Sequence, residues 1–158
     1  MLLHNDHVLL EIHRGTLLGV RTAIDGLSGE ELRWTEPATG YSIASEVRQL
    51  TVAEHHWLRD CGLDPGFEPS SKEPQSSMEL TDLLQAINAR WRSIPVLSKP
   101  AQYALLRVSF QALFHLPRVV HFRSRLQPSW EMPPRNAPGS WDYAIDEIIR
   151  SLLAEPFD

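Results

Sequence analysis

SIASEVRQLTVAEHHWLRD, residues 42–60, reads as a single helix, and the rest of the fold follows from it. Ser42 is a good N-cap, because its hydroxyl accepts from the unpaired N–H groups of a first turn. The helix runs from Ile43 to Asp60, and Gly62, Pro65 and Gly66 end it. Near its end stand two adjacent histidines, His55 and His56, with Gln49 about two turns before them.

Toward the N-terminus, a first block spans about His4 to Asp25. Leu9, Ile12, Thr16, Val20, Ala23 and Leu27 recur there at helical spacing. Gly26 sits where a helix C-cap glycine is expected. Ser28-Gly29-Glu30-Glu31 is a capping-box pattern that starts one short turn, closed by Pro37 and Gly40.

Toward the C-terminus, DPGFEPSSKEPQSS, residues 64–77, is a polar loop with three prolines. It is long for a compact domain and reads as a flexible or functional surface loop. A third helix is expected from Leu80 or Thr81 to Ile94, with Leu80, Leu84, Ile87, Trp91 and Ile94 as its apolar stripe. Pro95 and Pro100 close it. A fourth runs from about Ala101 to Gln127 and contains Pro117, which predicts a kink or break. After a proline-rich stretch, residues 128–140, a short last helix is expected from Trp141 to Leu153. It places Trp141, Ile145, Ile148 or Ile149, and Leu152 on one side. Strand signals are nearly absent. Four main helices with mostly short connections predict an all-α helical bundle, and 158 residues fit one domain, 1–158.

Hydrophobic residues make up 42% of the chain and charged residues 22%, as in globular proteins. No apolar run approaches the roughly 20 residues of a membrane helix. The opening MLLHNDHVLLEIHR has acidic residues and no small-residue cleavage site, so no secretory signal is expected and the cytoplasm is the expected location. Cys61 is the only cysteine, which excludes an intrachain disulfide and a thiolate metal cluster. It lies near a helix C-terminus, where the dipole disfavours a thiolate, so it reads as structural. Net charge is −5 and no Lys/Arg-rich block is present, which argues against nucleic-acid binding.

GLSGEELRWTEPATGYSIASEVRQLTVAEHHWL, residues 26–58, resembles the N-terminal half of the DinB-like family of four-helix-bundle proteins. QALFHLPRVVHFRSRLQPSWEMPP, residues 111–134, is similar to that family's histidine-bearing helix and its proline-rich exit. The resemblance implies a four-helix bundle of DinB-like topology, here with a short extra C-terminal helix. It also implies a site in which one histidine of the second helix and two of the fourth hold a divalent metal such as zinc or nickel. Some members are thiol-dependent transferases or isomerases, and members often dimerise through helix faces.

The positions matching that triad here are Gln49, Gln111 and His115, and Pro117-Arg118 replaces a Gly-Gln pair. An amide oxygen is a weak, hard ligand suited to calcium or magnesium. A fixed positive charge beside a divalent metal repels it unless an acid intervenes. The metal site therefore reads as degenerate, and no metal cofactor is expected.

Other histidines offer little replacement. His56 lies on nearly the same helical face as Gln49, although packing is the preferred reading for such a residue. His121 points away from His115, and His4 with His7 make a terminal i,i+3 pair expected to fray.

On the fourth helix Arg107, Gln111, His115, Arg118, Phe122 and Arg125 follow spacings of 4, 4, 3, 4 and 3, so they share one stripe. Leu105, Val108, Ala112, Leu116 and Val119 occupy the opposite side. The stripe is either a solvated amphipathic face or, in the register the resemblance implies, one wall of an interhelical cleft. In the second case Gln49, Gln111, His115 and Arg118 form a polar, cationic pocket for a carboxylate or phosphate. His115 is then the candidate catalytic residue, a proton carrier near neutral pH. Glu46 and Glu54 show no acidic partner, and Glu54 reads as salt-bridged or solvent-exposed. Glycine-rich phosphate loops, nucleophile elbows and HExxH motifs are absent.

Three functions remain open: a metal-free module binding a small anionic ligand, an enzyme with an altered metal shell, and a homodimeric partner-binding protein in which Trp130 and Trp141 are interface anchors.

Overall fold

The computed structural model describes residues 2–133, with side chains from residue 6 onward. All of its regular elements are helices: α1 (Leu2–Ile24), α2 (Gly29–Arg33), α3 (Ile43–Asp60), α4 (Ser77–Arg92) and α5 (Lys99–Leu126). The expected helix over Trp141–Leu153 and its Trp141 lie outside the described residues, as does the His4 side chain.

Capping residues set the boundaries. The Ser42 hydroxyl accepts from the Ser45 N–H at 3.0 Å, and Ser45 Oγ accepts from the Ser42 N–H at 2.8 Å, so α3 starts and ends as its sequence predicts. Ser28 and Glu31 form the expected capping box of α2. Two expected starts move. Helix α4 begins at Ser77 because Ser76 caps it, with Glu79 three residues on. Helix α5 begins at Lys99, capped by Ser98, because Pro100 lies in the first turn where its missing N–H is no loss. Of the kink or break expected at Pro117, the break does not occur: α5 is one helix of 28 residues with Pro117 inside it.

One core joins the long helices. It is built from Leu17, Val20 and Ile24 of α1, Val47, Leu50 and Leu58 of α3, Leu80, Leu84, Ile87 and Trp91 of α4, and Leu105, Val108, Leu116 and Phe122 of α5. Helix α1 packs against α5 and α4, and α3 packs against α5, α2 and α4. Leu105, Val108, Ala112, Leu116 and Val119 are buried, which fixes the rotation of α5 about its axis. Each buried aliphatic side chain contributes about 1.5–3 kcal/mol.

Polar ties close the ends. Asp6 is buried and accepts from the Leu97 N–H at 3.0 Å and from Gln102 Nε2 at 2.9 Å, joining the start of α1 to the α4–α5 connection. The loop between α3 and α4 is pinned along its length. Arg48 donates to the Ser70 carbonyl, the Ser70 N–H to Thr51 Oγ1, Arg90 to the Asp64 carbonyl and Arg33 to the Pro74 carbonyl.

Close backbone approach explains Gly29. A Cβ there would meet the Gln75 carbonyl oxygen at 2.6 Å and its carbon at 2.9 Å, where the chain entering α4 bridges Ser28 to Ser76. Gly29→Ala is expected to lower stability by about 1–3 kcal/mol, read as a lower thermal midpoint. An unchanged midpoint would show that this crossing shifts freely.

Candidate functional site

Helix α3 carries two buried carboxylates, Glu46 and Glu54, each held by a histidine of another helix. Glu54 Oε1 lies 2.6 Å from His13 Nε2, and Glu54 Oε2 accepts from Trp91 Nε1 at 2.8 Å; all three residues are fully buried. Of the two alternatives for Glu54, solvent exposure is overturned and the paired carboxylate is found, with His13 as its partner. Lying two turns before Glu54, Glu46 is 1% exposed. Its Oε2 lies 2.5 Å from His115 Nδ1, and its Oε1 accepts from Arg118 Nε at 2.9 Å.

The rotation that buries the apolar side of α5 turns Gln111 and His115 toward α3. With Gln49 they line a cleft of about 960 Å³ between the two helices. His115 is only 5% exposed, at the inner side of the stripe. Val52, Trp57, Phe110 and Phe114 supply apolar wall, and Phe110 and Phe114 stay largely exposed. The charged residues lining the cleft are Arg48, Lys72 and Arg107, with no carboxylate among the lining residues. Lys72 arrives from the α3–α4 loop, held in place by the Ser70 bonds. The Arg107 guanidinium lies over the Trp57 ring at 5.7 Å, which fixes its direction without using its hydrogen-bond donors.

Arg118 is placed differently from the fork expected of it. It is committed to Glu46, it stacks over Tyr41 at 5.0 Å and Phe114 at 5.8 Å, and it is not among the residues lining the cleft. The cations that line the cleft are instead Arg48, Lys72 and Arg107. Of the adjacent histidines, His56 is exposed and lines the cleft, while His55 packs edge-on against Phe67. His121 is exposed and turned away, as expected, and His7 is exposed.

At the triad positions, Gln49 and Gln111 offer amide groups, and His115 has one ring nitrogen taken by Glu46. Glu46 is the acid that offsets the Arg118 charge, so repulsion no longer argues against a metal. The donor set still does: two amides and one imidazole do not fit zinc or nickel. Among the described residues, no group of three or more His, Cys, Asp or Glu side chains is arranged to hold a metal ion.

Cys61 stands at the C-cap of α3, and its Sγ donates to the Pro100 carbonyl. Burial and the nearby Asp60 push its thiol above the ordinary range, away from nucleophile chemistry. Trp130 is half-buried beneath the Arg123 guanidinium, 4.7 Å away, and packs against the core. No helix among the described residues is long and apolar enough to cross a membrane.

The described chain is thus an all-α protein with an aromatic, cation-edged cleft between α3 and α5, lined in part by the His115 imidazole, which the buried Glu46 carboxylate backs from outside the lining. No protein-family model, curated protein or solved structure matches the chain.

Proposed function

We propose that the protein is a DinB-like four-helix-bundle member whose cleft binds a small organic anion with an apolar body, without a metal. The observation that carries this reading is the charge of the cleft: Arg48, Lys72 and Arg107 line it beside Val52, Trp57, Phe110 and Phe114, with no lining carboxylate among the described residues. A carboxylate or phosphate placed there meets charge-assisted donors, while an aromatic or aliphatic body covers exposed rings. The order of the four long helices and the place of Gln49, Gln111 and His115 in one cleft support the family reading.

Naphthoate tests it by titration calorimetry. Saturable single-site binding to the wild type is expected, about 10-fold weaker in Arg107→Ala and in Lys72→Ala, since a hydrogen bond to a charged group contributes about 1.5–3 kcal/mol. Equal binding of naphthalene methanol, which lacks the charge, would overturn it.

A second reading, pairing of two copies in the cytoplasm through α5, is favoured by Tyr103, Leu106, Phe110 and Phe114, exposed along that helix. Because Phe110 and Phe114 also line the cleft, sedimentation of the same samples separates the readings: naphthoate binding to a monomer supports the first.

A further inference from the structure

The Glu46–His115 pair has more organisation than anion binding needs. Glu46 is buried, and its two oxygens are divided between two partners, Arg118 Nε on Oε1 and His115 Nδ1 on Oε2. A carboxylate accepts, so the imidazole donates from Nδ1, and in the neutral form its lone pair lies on Nε2. Nε2 has no hydrogen-bond partner among the described residues, and His115 lines the cleft. A positioned carboxylate that sets the tautomer of a cleft imidazole is the arrangement of a general base.

The cleft also decides what that base can act on. Its two serines are used in structure. Ser42 and Ser45 cap α3 reciprocally, and Ser45 Oγ donates to the Ser42 carbonyl at 2.7 Å. The sole cysteine is at the end of α3, bonded to Pro100 and outside the cleft lining. With the hydroxyl side chains engaged, the nucleophile left for the base is water. Gln49 and Gln111, the amide side chains lining the cleft, supply N–H donors for a developing oxyanion.

We propose that the cleft hydrolyses carboxylic esters that carry an anionic group on an apolar body, with His115 as catalytic base and Glu46 as the residue that positions it. This rests on the anion-binding reading above. His115 Nε2 removes a proton from water as the water oxygen bonds to the acyl carbon, and the carbonyl electrons move onto oxygen, against a glutamine amide. As the carbonyl re-forms, the bond from acyl carbon to ester oxygen breaks. The departing alkoxide or phenoxide takes the proton back from the imidazolium. Ester and water give acid and alcohol, and the enzyme returns unchanged.

Acetoxynaphthoate is the test substrate, because hydroxynaphthoate release is read by fluorescence and naphthoate reports binding alone. The wild type is expected to turn it over above the buffer rate. His115→Gln is expected to lower kcat about 100-fold while KM and naphthoate affinity change little, since a general base contributes about 10²–10⁴-fold. Glu46→Gln lowers kcat as well and, unlike a residue that only supports the fold, alters the pH profile of the remaining activity. Turnover no faster than buffer, or turnover that His115→Gln leaves intact, overturns the proposal. If naphthoate binds while the ester is untouched, only the catalytic inference falls. If naphthoate does not bind, the anion-binding reading falls with it.

Discussion

Glu54→Ala is expected to lower the free energy of unfolding by about 3–5 kcal/mol, a large part of the stability of a domain this size. Glu54 is fully buried and satisfies partners from two other helices, His13 on α1 and Trp91 on α4. Alanine leaves the indole N–H and the imidazole nitrogen without acceptor or donor and opens a void beside them. His13 already has one ring nitrogen, Nδ1, buried without a partner among the described residues, so the imidazole has no second bond to fall back on. Glu54→Gln keeps an acceptor for Trp91 and is expected to cost less than half as much. Urea denaturation followed by tryptophan fluorescence measures both. A loss below about 1 kcal/mol for the alanine variant would mean the three helices do not depend on this carboxylate.

Pro117→Ala is expected to act in the opposite direction, raising stability by about 1–3 kcal/mol. Proline inside a helix removes one backbone hydrogen bond and crowds the carbonyl four residues earlier, a cost of about 3 kcal/mol relative to alanine. Here that carbonyl belongs to Leu113. Pro117 is exposed, so alanine loses little packing. A higher thermal midpoint, with slower amide exchange over residues 113–121, is the expected result. No change in midpoint would indicate that the helix at Pro117 is shaped to aim Arg118 at Glu46, and the variant would then show a weakened Glu46–Arg118 pair.

Most of the helical layout is legible in the sequence because caps and punctuation are local. Ser42, the Ser28–Glu31 box and the glycines act within four residues, and a reader needs no partner to see them. The start of α4 was equally legible in Ser76 and Glu79, whose spacing matches a capping box, but the apolar stripe beginning at Leu80 drew the boundary inward. Pro117 shows tertiary packing overriding a local rule: Ala112, Leu116, Val119 and Phe122 are buried on both sides of it, and their burial holds α5 continuous.

The site was half legible. Gln49, Gln111 and His115 are brought to one cleft, as the helical register of the resemblance implies. The burial of the two carboxylates that organise the interior was missed, because a glutamate in an amphipathic helix is ordinarily a surface residue. Their partners lie 41 and 69 positions away, beyond any periodicity. Lys72 was missed for another reason. A loop residue has no register, and only the bonds from Arg48 and Thr51 to Ser70 bring that segment alongside α3.

Helices α1 and α5, which pack together, come from opposite ends of the described chain. In synthesis α5 follows α1 by about 75 residues, so Leu17, Val20 and Ile24 wait that long for the part of their cover that α5 supplies. At about 5–20 residues per second, that wait lasts several seconds to about 15 seconds. During it the apolar side of α1 lacks the partner that completes its cover, so that part of the core closes only after α5 has been made.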